Sequence, residues 1–281
     1  MSVIAPVEPS VLREAAQRVL HDEPAPRSHT TLAVQNGECE ARLVLGNVGV
    51  LCGLDAAAAV FEAVDPSVAF QPLAWDGAPI GKTGTPVAVV HGSAASLLAA
   101  EHAVVSLVGR LSGIATHTRH YVDAVKHTRA LILDPSSPHT ELQALERYAV
   151  RCGGGHTRRP HLLEPVLITR NHVHLAGGIP AAVEYARQQL TAPLPIQLEA
   201  YTQDEARGGL DAKVDALLLH DMPTKSINQV VSRAPDTVWL EATGPFTPRN
   251  IKPVAHTGVH AITLPTITHT AASVEAGLTF V

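Results

Sequence analysis

The stretch that decides the fold is Leu145-Glu-Arg-Tyr-Ala-Val-Arg-Cys-Gly-Gly-Gly155, in which a helical pattern runs directly into three glycines. Such a run marks a point where the backbone takes a positive φ or comes very close to another segment. His156, Arg158 and Arg159 follow at once. Backbone amides and positive charge in one loop suit an anionic ligand. A helix end followed by a plain turn would contain the same glycines.

On the C-terminal side of this stretch, and once before it, short apolar runs recur between helical patterns. The runs are Ala130–Leu133, Pro165–Ile168, Pro195–Leu198, Ala216–Leu219, Val238–Leu240 and Ala261–Leu264. Strands separated by helix-length connections predict parallel βαβ units, and six in succession predict a closed or nearly closed α/β barrel. In such a barrel the chemistry lies where the strands end.

The N-terminal part of the chain has a different pattern. An amphipathic helix is predicted over residues 8–22, a second helix over 55–64, and a long Ala-rich helix over 96–127. Short apolar runs bounded by Gly and Pro predict strands; these runs are Thr31–Val34, Ala41–Leu45, Gly49–Gly53, Val68–Phe70 and Val87–Val90. We interpret residues 1–105 as an α+β sandwich domain, with residues 270–281 as a candidate addition, and residues 106–269 as the α/β barrel domain.

Composition excludes several classes of protein. A formal net charge of -5 gives no broad surface for nucleic acid or acidic membranes. The sequence has no run of eighteen apolar residues, and its start lacks the layout of a signal peptide, so we expect a soluble cytoplasmic protein. The 3 cysteines have no CxxC spacing, which argues against a disulfide framework and against a structural zinc site.

Polar residues follow most of the predicted barrel strands. They are Asp134, Thr169 with Arg170, Glu199, His220 and Glu241. Each alone would be an ordinary loop start, but together they outline a mouth lined by carboxylates and imidazole. An imidazole between carboxylates is a general acid/base set, so Glu199, His220 and Glu241 are the candidate catalytic residues. The same groups are suitable metal ligands, but no HxH or HxxxH pair lies beside them, and no metal site is predicted.

The chain resembles the quinolinate phosphoribosyltransferase family, also called carboxylating nicotinate-nucleotide pyrophosphorylase. The matching segments are Ser106–Arg119, Tyr121–Val125, Leu145–Gly155 and Asn171-His172. The resemblance implies a type II phosphoribosyltransferase fold, with an N-terminal α+β sandwich domain and a C-terminal α/β barrel. It also implies a homodimer or higher homo-oligomer, and Mg²⁺ as cofactor if a phosphoribosyl donor is used.

Several cations that the resemblance would imply for substrate binding are replaced. The family's Asp-Thr-Arg-Lys-Thr motif is Asp134-Pro-Ser-Ser-Pro138 here, so Ser136 and Ser137 stand where Arg and Lys are expected. An Arg contributed across the dimer interface is His102, and the substrate-facing Lys before an Asp-Asn-His motif is Thr169.

Other positions of the family's site keep a charged or polar side chain. Arg159 is retained and Arg158 replaces a His, while Arg170 lies one place beyond the lost Lys and precedes Asn171-His172. Glu199 and Glu241 match family carboxylates, and His220 replaces a strand-end Asp. The resemblance therefore implies that Arg158, Arg159, Arg170, His172, Ser136, Ser137 and His102 line the substrate site.

Charge-assisted contacts contribute about 1.5–3 kcal/mol each, so the replacements argue against ordinary quinolinate chemistry. Three hypotheses remain open. The first is a diverged transferase acting on a small anionic, ring-containing substrate. The second is a barrel that catalyses decarboxylation, cyclisation or another lyase step through His/Glu acid-base chemistry. The third is a non-catalytic paralogue.

Overall fold

The computed structural model describes residues 4–22, 37–134, 142–157 and 163–281. The described residues form two compact units. The first takes its residues from Met1–Arg119, Ser136–Gly154 and Thr266–Val281, and the second from His120–Pro135 and Gly155–Pro265. The predicted strand Thr31–Val34 lies outside the described residues, and the predicted domain boundary at residues 105 and 106 stays a prediction.

The first unit combines helices with an antiparallel sheet. Its elements begin with α1 (Pro9–Asp22), β1 (Glu38–Leu45), β2 (Gly49–Val50), α2 (Leu54–Val64), β3 (Ala69–Pro72), β4 (Pro79–Ile80), β5 (Thr85–Ser93) and α3 (Ala94–Val125). The last residues of α3, from His120 onward, belong to the second unit. Further elements are α4 (Gln143–Cys152), α10 (Thr266–His269) and β12 (Ala276–Phe280). Four strands pair in the order β12, β1, β5, β3. In β1 the side chains of Ala41, Leu43 and Leu45 are fully buried, as strand alternation requires for a sheet with one face on a core.

The long helix α3 depends on glycine for close packing. A Cβ added at Gly113 would lie 2.2 Å from the carbonyl oxygen of Ala272, and one added at Gly109 would lie 2.6 Å from that of Val274. This helix is the one in the described chain that is long and apolar enough to cross a membrane. In its most apolar window 61% of the residues are buried, as in the core helix of a soluble protein.

Two of the three glycines behave as the sequence predicts. Helix α4 ends at Cys152, and Gly154 takes a positive φ of 89°. Gly153 has no room for a side chain, because an added Cβ would lie 2.5 Å from the Ala115 carbonyl oxygen and 2.5 Å from Cβ of Thr118. Both predicted uses of glycine, positive φ and close approach, therefore occur within one turn.

The second unit is a parallel sheet surrounded by helices. Its strands are β6 (Leu131–Leu133), β7 (Val166–Ile168), β8 (Ile196–Ala200), β9 (Ala216–His220), β10 (Trp239–Thr243) and β11 (Ala261–Thr263). Its helices are α5 (Arg170–Ala176), α6 (Ile179–Gln189), α7 (Gln203–Asp211), α8 (Thr224–Val231) and α9 (Ile251–Ala255). The strands pair in the order β6, β11, β10, β9, β8, β7, and every printed pairing is parallel. The predicted fold class, an N-terminal α+β domain with a C-terminal α/β barrel, is confirmed.

Alternation along these strands separates an apolar layer from a polar one. Leu198, Leu217 and Leu219 have no exposed surface and belong to one face of the sheet. The other face carries Glu199 and Glu241, which flank Leu218 at the same level of the sheet. The sheet therefore packs through one face and presents carboxylates on the other.

Candidate active site at the strand ends

The candidate catalytic residues lie on three neighbouring strands. Glu199 is on β8, His220 ends β9, and Glu241 is on β10. In the strand register Glu199 and Glu241 both pair with Leu218, and His220 lies two residues further along the same face. Adjacent strands are about 4.8 Å apart, so the backbones of Glu199 and Glu241 are separated by roughly 10 Å.

Tyr201 connects two of these residues. Its hydroxyl donates to Oε2 of Glu199 at 3.4 Å, and its ring stacks on that of His220 with centroids 4.6 Å apart and an interplanar angle of 27°. Partial burial, followed by the charge of Glu199, raises the pKa of the Tyr201 phenol, so this hydroxyl remains a donor at neutral pH. Glu199 and His220 are thus held through one aromatic side chain.

His220 also lies beside a carboxylate. Its Nδ1 is 3.1 Å from Oδ2 of Asp221, although the two groups do not have hydrogen-bond geometry. Asp221 has a positive φ of 53°, a conformation that is uncommon outside glycine and is often found at functional sites. About a third of the His220 side chain, 32%, is exposed, although its Nδ1 atom is buried.

Arg170, a predicted substrate-binding residue, belongs to the same group of side chains. It is the first residue of α5, and its guanidinium carbon lies 3.8 Å from the centroid of the Tyr201 ring. Its Nη2 is 3.3 Å from Oε1 of Glu205. The Arg170 side chain is 57% exposed, but an ion pair already compensates part of its charge.

Glu241 has a different environment from Glu199. It is fully buried, and its Oε2 accepts from Nε2 of Gln197 at 3.3 Å and from Nε1 of Trp239 at 3.3 Å. Its Oε1 accepts a short hydrogen bond from the hydroxyl of Thr263. Donors from three described residues orient this carboxylate, so the group is preorganised inside the barrel.

The other predicted binding residues are not gathered in the same way. His172 is exposed on α5, and its Nδ1 accepts from the backbone N–H of Thr169 at 3.1 Å as part of a capping box. His102 is exposed on α3 in the first unit. Ser136, Ser137, Arg158 and Arg159 lie outside the described residues.

Within the described ranges, no group of three or more His, Cys, Asp or Glu side chains has the arrangement of a metal site. Mg²⁺ is often held by one or two carboxylates together with substrate phosphates. The partly exposed Glu199 and Asp221 fit that mode of binding, whereas both oxygens of Glu241 already accept hydrogen bonds.

Sequence reasoning missed two residues of this arrangement, Tyr201 and Asp221. Strand alternation was the available signal for Tyr201, because a residue two places after Glu199 extends the same face. Asp221 directly follows His220, but nothing in the sequence indicates its positive φ. Together the described side chains offer a buried carboxylate, an exposed carboxylate and an imidazole, which can stabilise a developing positive charge and transfer protons.

Comparison with known proteins agrees with this architecture. Residues 28–112 match the family model of the quinolinate phosphoribosyl transferase N-terminal domain, and residues 114–279 match that of the C-terminal domain. A probable carboxylating nicotinate-nucleotide pyrophosphorylase of Synechocystis is 36% identical over 226 residues, covering 79% of this chain and 76% of the relative. The carboxylating nicotinate-nucleotide pyrophosphorylase of Mycobacterium leprae is 32% identical over 278 residues, covering 95% and 96%.

A solved structure leads to the same conclusion. The nicotinate-nucleotide pyrophosphorylase from Francisella tularensis has a TM-score of 0.89 and 27% identity, and the match covers 100% of both chains. The chain belongs to the quinolinate phosphoribosyltransferase family.

Proposed function

We propose that this protein is a cytoplasmic phosphoribosyltransferase-like enzyme whose acceptor is a small, ring-containing anion with less negative charge than quinolinate. The observation that carries the proposal is the shared sheet face of Glu199, His220 and Glu241 within a chain of this family. Relatives named nicotinate-nucleotide pyrophosphorylase support the transfer reaction. We expect this protein to differ from those relatives in its acceptor substrate.

The charges around the mouth support a less anionic acceptor. Arg170 already forms an ion pair with Glu205. The segment Asp134-Pro-Ser-Ser-Pro138 contains no Arg or Lys. Each lost charge-assisted contact to a carboxylate is worth about 1.5–3 kcal/mol. Losing two such contacts would weaken binding of a dicarboxylate by about two to four powers of ten.

The chain's own residues have distinct parts in this reaction. Glu241 is a fixed, buried carboxylate and stabilises positive charge that develops on the sugar during transfer. Glu199 is exposed enough to meet the donor and is oriented by Tyr201. Mg²⁺, held by Glu199 and Asp221 and by the donor's phosphates, would supply charge neutralisation for departing pyrophosphate.

The test is pyrophosphate release from phosphoribosyl pyrophosphate and Mg²⁺ with a panel of pyridine and other heteroaromatic acids, including quinolinate. We expect turnover with a monocarboxylate and little with quinolinate. Glu241→Gln should lower kcat by about 10²–10³-fold, whereas the exposed helix variant Glu184→Gln should not change it. Efficient turnover of quinolinate would refute the narrower acceptor and leave the transfer reaction standing; no release with any acceptor would refute the transfer itself.

A second candidate function is favoured by the contact between His220 and Asp221. An imidazole 3.1 Å from one carboxylate and stacked on the phenol that bonds Glu199 is an acid/base set. This arrangement suits a lyase step such as decarboxylation or cyclisation, which needs no sugar donor. The test is release of carbon dioxide from the same panel of acids in the absence of phosphoribosyl pyrophosphate. Release by the wild type that is abolished in His220→Gln would support this function. Full turnover in His220→Gln would remove it.

We also propose that the protein is a homodimer or a higher homo-oligomer. The support is the membership of this chain in its family. The resemblance to that family implies that the first domain of one subunit packs over the barrel of the partner subunit. Light scattering during size-exclusion chromatography at micromolar concentration tests this. A mass of 29.6 kDa at all concentrations would contradict the proposal.

A further inference from the structure

Three predicted site residues contact one residue that sequence analysis did not select. Glu199 accepts a hydrogen bond from the Tyr201 hydroxyl at 3.4 Å. His220 stacks on the Tyr201 ring at 4.6 Å, and the Arg170 guanidinium lies 3.8 Å from the ring centroid. A carboxylate, an imidazole and a guanidinium from three different elements thus have Tyr201 in common.

The backbone of Tyr201 is fixed by a helix cap. Oε2 of Glu205 accepts from the backbone N–H of Tyr201 at 2.6 Å and from that of Thr202 at 3.2 Å. The Thr202 side chain accepts in return from the backbone N–H of Glu205, which completes a capping box at the start of α7. The other oxygen of Glu205, Oε1, pairs with Arg170.

These contacts close a ring of interactions. Tyr201 is fixed by Glu205, Glu205 holds Arg170, and Arg170 packs over the Tyr201 ring. The Arg170 side chain is 57% exposed, so its contact with the ring is of the weaker, solvent-exposed class of cation–π interaction. Both the orientation of Arg170 and that of His220 therefore depend on the aromatic ring, whereas the orientation of Glu199 depends on the hydroxyl.

We propose that Tyr201 is a positioning residue of the site: its ring orients Arg170 to receive the anionic group of the substrate and orients His220, and its hydroxyl orients Glu199. The proposal rests on the proposed function for its kinetic consequences. Arg170 and His220 already pack against the Tyr201 ring, so we do not expect the substrate to stack on it. Tyr201 therefore acts through these two neighbours.

Ring and hydroxyl can be separated with two variants. Tyr201→Phe keeps the ring and removes the bond to Glu199, so kcat should fall by about 3–10-fold while KM for the acceptor stays within about two-fold. Tyr201→Leu also removes both ring contacts, so KM should rise by about three- to five-fold as well. Tyr185→Phe and Tyr185→Leu are matched controls, because Tyr185 is 64% exposed on α6, and both should leave kcat and KM unchanged. Wild-type kinetics in Tyr201→Leu would overturn the proposal.

A spectroscopic measurement keeps this test independent of turnover. A stacked ring shifts the imidazole proton resonances of His220, which are assigned by comparison with His220→Gln. The shift should persist in Tyr201→Phe and disappear in Tyr201→Leu. Pyrophosphate with Mg²⁺ should bind more weakly to both variants by calorimetry, because both lose the hydroxyl that orients Glu199. If no acceptor is turned over, the transfer proposal fails. The His220 resonances and the calorimetric measurement then still test the positioning role of Tyr201. An unshifted His220 resonance in the wild-type protein would refute the positioning role.

Discussion

Replacing Glu241 should distinguish its contribution to folding stability from its contribution to catalysis, because the residue is buried and accepts hydrogen bonds from three described side chains. Glu241→Gln keeps the shape and one carbonyl oxygen. If that oxygen takes the place of Oε2, it can still accept from Gln197 and Trp239. The new amide then faces Thr263, whose hydroxyl can rotate and accept instead of donating. The three hydrogen bonds are kept in this arrangement, and the carboxylate becomes a neutral amide.

Glu241→Leu has a much larger expected cost. It leaves the Gln197 amide, the Trp239 indole N–H and the Thr263 hydroxyl without the partner that they share. A buried donor that loses its acceptor costs about 1–3 kcal/mol. Because such losses are not additive within one network, we expect about 3–5 kcal/mol for Glu241→Leu and about 0.5–1.5 kcal/mol for Glu241→Gln.

Urea unfolding of both variants and the wild type measures these free energies. Glu184→Gln on the exposed face of α6 serves as control and should lie within about 0.5 kcal/mol of the wild type. Equal stability of Glu241→Leu and Glu241→Gln would refute the hydrogen-bond argument. A folded Glu241→Gln protein with full activity would leave the bonding intact but remove the carboxylate from the mechanism.

Two further predictions concern packing and pH. Gly113→Ala should destabilise the protein by about 1–3 kcal/mol in urea, because the new methyl would lie 2.2 Å from a carbonyl oxygen, whereas Gly81→Ala, which meets nothing within 4 Å, should have little effect. Burial, followed by the charge of Arg129, lowers the pKa of His260, so the unfolded state binds more protons and stability should fall as the pH drops below about 6.5. In His260→Asn, whose amide oxygen can still accept from the Leu240 N–H, the loss of stability between pH 7 and pH 5 should be smaller, and an unchanged loss would contradict the assignment.

The fold was predictable because its periodicities are local and agree with each other. Strands such as Ala216–His220 begin with a run of alanine and leucine, and the glycines after Cys152 mark a turn that only glycine can make. Strand limits were less predictable: the run Gly49–Gly53 forms a strand only at Gly49–Val50. After Val50 the chain leads directly into α2. At the start of this helix Asp76 accepts hydrogen bonds from two backbone amides, and these bonds join residues that are distant in sequence.

Strand periodicity also gave the shared face of Glu199, His220 and Glu241. It could not distinguish their environments, because the burial of Glu241 depends on donors from two other strands. The part played by Tyr201 was equally hidden, since its contacts come from residues 31 positions before and 19 positions after it in the chain. Patterns in one segment predict which face a side chain occupies; which partners it meets there is decided by the packing of the whole barrel.

The balance of charge at the strand ends constrains how an anionic donor can bind. The described side chains include the carboxylates of Glu199, Glu205 and Asp221 and the guanidinium of Arg170, which is already paired with Glu205. A pyrophosphate group approaching Glu199 and Asp221 without a cation would meet repulsion. Mg²⁺ bound to the phosphates would reverse this effect, because Glu199 and Asp221 could then hold the ion. Under the proposed transfer reaction, a phosphorylated donor would therefore bind as its metal complex, and Arg170 would remain for the acceptor.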